Sequence, residues 1–139
     1  MMSKTKGYKF LSLMISDDIR KEDNGKEIII GVYTDKIIVD TVPALLPTFV
    51  LRFEVDAYQK HYDNISATIY GPDKKEIVNV GFTSVNDVDI TRRAVVPLKV
   101  SPIVFHAFGR YEVHLGMDCR ERLVGSFSLE KREVVAQTG

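Results

Sequence analysis

Thr48-Phe49-Val50-Leu51-Arg52-Phe53-Glu54-Val55 alternates: Phe49, Leu51, Phe53 and Val55 interleave with Thr48, Val50, Arg52 and Glu54. Successive side chains of an extended chain point to opposite faces, so a period of two buries one face of a strand and leaves the other to solvent. The pattern recurs along the chain. Ile65, Ala67 and Ile69 alternate with Ser66, Thr68 and Tyr70, and Tyr111, Val113, Leu115 and Met117 with Glu112, His114 and Gly116. Leu123, Gly125, Phe127 and Leu129 alternate with Val124, Ser126 and Ser128. β-Branched and aromatic residues are concentrated in these runs, as pleated surfaces favour. No segment carries an extended helical stripe, and the best helical candidate, residues 57–62, is short.

Turn chemistry separates the runs. Asp23-Asn24-Gly25-Lys26 predicts a hairpin, because Asn and Gly tolerate the positive φ of a tight turn. Gly71-Pro72-Asp73-Lys74 predicts a second, and residues 118–122 a third. Pro43 and Pro47 bracket Ala44-Leu45-Leu46 and mark a crossover between sheets, since Pro cannot donate to a ladder. Pro97 and Pro102 point to an edge position or a bulge for the same reason. Strands are therefore predicted near 8–17, 26–34, 36–40, 48–56, 64–70, 76–83, 93–100, 110–118 and 122–131. The expected fold is all-β, a two-sheet antiparallel sandwich, immunoglobulin-like or C2-like, of about eight to nine strands.

A chain of 139 residues fits one domain, 1–139, with 131–139 expected as a flexible tail. Its 45% apolar and 27% charged content is that of a globular protein rather than a disordered one. The formal net charge is zero, which argues against a dedicated nucleic-acid binder. Cys119 is the single cysteine, so no intrachain disulfide forms and a reducing compartment is expected. The apolar run after the basic N-terminus is broken at Ser12 and stopped by Ser16, Asp17 and Asp18, unlike a signal peptide. No stretch approaches the ~20 apolar residues that cross a bilayer. The expected setting is cytoplasmic, without a membrane partner.

Catalytic chemistry has no constellation to rest on. Cys119 sits beside Asp118 and Glu121, which disfavour a thiolate, although Arg120 and Arg122 oppose them. His61, His106 and His114 form no ligand pair by spacing, and His114 reads as a surface histidine on the polar face of a strand. Asp17, Asp18, Asp56, Asp63, Asp87, Asp89 and Asp118 fall near strand ends, where a sandwich could gather them around a calcium ion, and where solubility alone also places carboxylates. Lys74-Lys75, Arg92-Arg93 and Arg120-x-Arg122, with Tyr58, Tyr62 and Tyr70, are the candidate nucleic-acid contacts. Asp73, Glu76, Asp89 and Glu121 lie close to those bases, so solvated turns are preferred. The glycines form no phosphate-cradling loop. No catalytic, cofactor or metal residue is assigned.

Ser16-Asp17-Asp18-Ile19-Arg20 leads through Asn24-Gly25-Lys26 to Ile28-Ile29-Ile30-Gly31-Val32-Tyr33, then to the proline crossover and Phe49-x-Leu51-x-Phe53-x-Val55. Gly109-x-Tyr111-x-Val113-x-Leu115 and Leu123-x-Gly125-x-Phe127-x-Leu129 close the chain. This order resembles a family of small uncharacterised bacterial proteins, a domain of unknown function. The resemblance spans nearly the whole chain and implies a β fold, with no functional residues to carry over.

Two functions are expected from these observations. The first is a non-enzymatic protein-interaction or assembly module, with a protein partner or self-association. It is motivated by Val95, Val96, Leu98, Val100, Ile103, Val104 and Phe105, a nearly continuous apolar stretch that serves either as core plus crossover, the preferred reading, or as an exposed patch. The second is a small-ligand or ion-binding sandwich using loops at one end around Asp17, Asp18, Asp56 and Asp118.

Overall fold

Alternation becomes burial in β5 (Phe49–Asp56), where Phe49, Leu51, Phe53 and Val55 are buried and Arg52, Glu54 and Asp56 are half-buried. The computed structural model describes residues 9–56, 64–83, 93–117 and 120–133. The short helical candidate at 57–62, and with it Tyr58, His61, Tyr62, Asp63, Asp87, Asp89, Arg92, Asp118 and Cys119, lies outside the described residues. The other strands are β1 (Lys9–Lys21), β2 (Glu27–Tyr33), β3 (Lys36–Val39), β4 (Ala44–Leu46), β6 (Asn64–Tyr70), β7 (Glu76–Thr83), β8 (Arg93–Val100), β9 (Ile103–Phe105), β10 (Gly109–Met117) and β11 (Arg120–Lys131).

These strands make a four-stranded sheet ordered β2-β1-β5-β8, a five-stranded sheet ordered β3-β11-β10-β6-β7, and a two-stranded sheet of β4 and β9. The fold is all-β, but with eleven described strands rather than eight to nine. The pairing is also not wholly antiparallel, since β3 runs parallel to β11, with Ile37 opposite Leu129. The two additional strands, β4 and β9, are three residues each, too short to show a period, and prolines stand immediately before β4 and β9. Pro43 to Pro47 does carry the chain from β3 in one sheet to β5 in the other, and Pro97 does lie on an edge strand.

One core joins all three sheets. Phe49 of β5, Phe105 of β9, Tyr111 of β10 and Phe127 of β11 are at most 2% exposed. Tyr111 and Phe127 stack in parallel at 5.3 Å, and Phe105 meets Tyr111 edge-on at 5.1 Å. Phe49 reaches across to Phe127 at 5.9 Å. Such aromatic pairs add roughly 0.5–1.5 kcal/mol each beyond their buried area. The Tyr111 hydroxyl satisfies itself on the Ala107 carbonyl at 2.6 Å, and burial raises its pKa above that of a free tyrosine. Val96, Leu98, Val100, Ile103 and Phe105 are buried, so the long apolar stretch is mainly core, with Val95 left 39% exposed. At the C-terminal end Lys131 closes β11 and the Arg132 amide donates to the Val39 carbonyl at 2.8 Å, while residues 134–139 of the expected tail lie outside the described residues.

Candidate interaction surface

β2 forms because Asn24-Gly25 turns the chain back on β1. Gly25 adopts φ 89, its amide donates to the Glu22 carbonyl at 3.0 Å, and the Glu22 amide donates to the Lys26 carbonyl at 2.8 Å. That last bond sets the phase of the ladder. Counting on in steps of two, Ile28 and Ile30 bond to β1, while Glu27 and Ile29 turn their amide and carbonyl groups to the far side; at Gly31, where φ is 67, the alternation is interrupted. The far side is the sheet edge, because among the described strands β2 neighbours only β1.

The face shared with Ser16, Asp18 and Arg20 carries Ile28, Ile30 and Val32, which are 43%, 39% and 51% exposed. The opposite face is anchored. Gly31 takes φ 67, where a Cβ would run into the Asp17 carboxylate, and that carboxylate accepts a hydrogen bond from the Tyr33 hydroxyl. Burial, and then the bond to Asp17, raise the Tyr33 pKa well above that of a free tyrosine. Asp17 and Asp18 thus continue the strand rather than ending it, and β1 runs four residues beyond the predicted end at 17.

The other edge of the same sheet is built differently. β8 presents Arg93, Pro97 and Lys99 as exposed residues in alternation with its buried ones. Lys99 Nζ reaches Asp18 at 2.8 Å across β5, over Val50, which is fully buried on what alternation makes the outer face. The Lys99 ammonium, by hydrogen bond first, holds the Asp18 carboxyl below the usual carboxylate range. Arg52 of β5 donates to Glu27 at 2.9 Å and lies 3.9 Å from Glu54, which in turn pairs with Arg93. Ion pairs linking Asp18 and Glu27 to β5 and β8 therefore draw the β1–β2 hairpin over the outer face. Ile19, Lys21 and Glu27 of the hairpin line one shallow depression together with Val95 and Pro97.

The remaining predicted residues are dispersed. The register pairs Lys9 with Asp56 and Ser16 with Val50, so Asp56 lies at the opposite end of the sheet from Asp17 and Asp18. Among the described residues no cluster of His, Cys, Asp or Glu has the makings of a metal site. His114 sits on the polar face of β10, edge-on to Tyr70 at 4.7 Å, with Nδ1 3.3 Å from Glu121 and Nε2 3.6 Å from Glu112. Tyr70 donates to Glu121 at 2.7 Å, which raises its pKa. His106 is exposed beyond the other end of β10. Lys74 is 3.4 Å from Glu112 and Arg93 pairs with Glu54, which partly neutralises those basic positions.

Among the described residues, three sheets around a shared core and an apolar edge strand, β2, define an all-β domain. The chain belongs to a family of unknown function, DUF6941, whose model matches residues 11–130. No curated protein matches it. Among solved structures it is similar to the C-terminal domain of wzt, at 10% identity and a TM-score of 0.49, covering 97% of this chain and 79% of that one. At that identity and score the likeness carries no argument about function. No helix among the described residues is long and apolar enough to cross a membrane.

Proposed function

We propose that this domain is a non-enzymatic protein-interaction and assembly module of the cytoplasm that engages its partner through β2. Its two larger sheets are read as the layers of a sandwich, with the four-stranded layer curled by its hairpin. The observation that carries the reading is the stripe Ile28, Ile30 and Val32 on the edge strand β2. Natural sheets blunt their edges with prolines, lysines, bulges or very short strands, because an open edge templates pairing with another chain. From Ile28 to Tyr33 β2 has no proline and no charge, and its one irregularity is the φ of Gly31.

Native mass spectrometry of the wild-type protein and of Ile30→Lys, each gently isolated from the native source, tests this. The expected result is an assembly heavier than the 15.7 kDa chain that the substitution abolishes. A bare chain in both preparations would sink the proposal.

A further inference from the structure

We infer that the occupant of the β2 edge is a second copy of this chain, laid antiparallel about a twofold axis through Ile30. The inference rests on the interaction reading above. Four observations select a second copy over another protein.

The stripe is self-complementary. Ile28, Ile30 and Val32 are spaced symmetrically about Ile30, so the axis sets Ile28 beside the partner copy's Val32 and joins both stripes into one apolar patch. The backbone phase agrees. Glu27 and Ile29 turn their polar groups to the free edge, and the axis sets them opposite the partner copy's Tyr33 and Gly31. The flanking charges also agree, since exposed Lys26 precedes β2 and exposed Asp35 follows it, so the antiparallel arrangement brings the base of one copy towards the acid of the other. Finally, 19 basic and 19 acidic residues leave a formal net charge of zero, so two copies meet without net repulsion.

The other edges of the two larger sheets fit this role less well. β8 carries Arg93, Pro97 and Lys99, β3 is four residues long and starts at Lys36, and β7 presents Glu76 and Asn79. β7, like β2, opens on a glutamate and then runs free of charge and proline, but its Ile77, Val78 and Val80 are half-buried, whereas Ile28, Ile30 and Val32 of β2 are exposed.

The test is disulfide trapping in purified full-length protein. A Cys119→Ser background leaves one thiol, introduced by Ile30→Cys or by Ile28→Cys. Ile30 faces its own copy as a non-hydrogen-bonded pair, where Cα atoms stand about 4.5 Å apart, within the range a disulfide spans. Two copies of residue 28 would be four residues out of register, roughly 13 Å apart. The expected result is a covalent dimer from Ile30→Cys and none from Ile28→Cys. Sedimentation of the wild-type protein should show a reversible dimer, and Ile30→Lys should weaken it at least about 100-fold by placing two ammonium groups together. Val95→Lys, on the β8 edge, should leave it intact.

A wild-type protein that sediments as a monomer at every concentration overturns the second-copy inference. If Ile30→Lys then still releases a partner from the natively isolated protein, the interaction reading survives alone. Self-linking by Ile28→Cys and not by Ile30→Cys overturns the axis.

Discussion

The four-stranded sheet has two edges built to opposite rules. β8 carries Pro97 and sets it with Arg93 and Lys99 among its exposed positions. Those charges are also used, tying the edge through Glu54 and Asp18 to its own sheet. β2 places Ile28, Ile30 and Val32 at the equivalent exposed positions and anchors only its other face, through Gly31, Asp17 and Tyr33. One sheet thus shows both how an edge is guarded and how it is left open. Guarding is inexpensive here, since Pro97 and Lys99 stand in a strand whose other side is fully apolar. On the proposal above, the bare edge is the one that is used.

Moving the guard from one edge to the other is the sharpest way to break this contrast. Ile30→Lys should remove association while changing the stability of the isolated domain by no more than about 0.5 kcal/mol, because the position is partly exposed and outside the core. Sedimentation together with urea unfolding checks both halves. The converse, Pro97→Val with Lys99→Thr, should give β8 an open edge and make heated samples scatter light at lower temperature than wild type. Equal scattering would mean that Pro97 and Lys99 do not guard β8.

Smaller effects sharpen the account of how the hairpin is held. Arg52→Ala should cost about 1 kcal/mol, since it removes the hydrogen bonds to Glu27 and leaves a half-buried carboxylate without its partner. Urea unfolding measures this, and hydrogen exchange in residues 22–27 should rise with it. Asp18 supplies a pH signature. Its carboxyl titrates below the ordinary value of 3.8, so its contribution is present above that value and is lost as pH falls through the lowered folded-state value. Stability measured from neutral to acid pH should fall less steeply in Asp18→Asn than in wild type, and Lys99→Ala should flatten the curve in the same direction.

Much of this fold is legible in residue order. The alternation in β5, β6, β10 and β11 marks which side chains meet in the core, and Asn24-Gly25 marks the hairpin, because both signals are local. Three things are not local. β4 and β9 are held by each other across the 56 residues from 47 to 102, rather than by any pattern of their own; their pairing runs Ala44–Phe105 to Leu46–Ile103. The persistence of β1 through Asp17 and Asp18 depends on Tyr33 and Lys99, which come 16 and 81 residues later by their numbering. The exposure of β2 depends on its place in the sheet, since Ile28-Ile29-Ile30 reads like any buried strand until the order β2-β1-β5-β8 leaves it on the outside. The longer apolar run from Val95 to Phe105 is mostly taken up by the core.

The amide of Ile29 tests the open edge most directly. The ladder phase leaves it without a partner among the described residues on the far side of β2, so its hydrogen exchange reports what covers that edge. The account predicts slow exchange at Ile29 in the assembled wild-type protein and fast exchange in Ile30→Lys. Fast exchange in both would contradict it, leaving β2 a bare edge that nothing occupies.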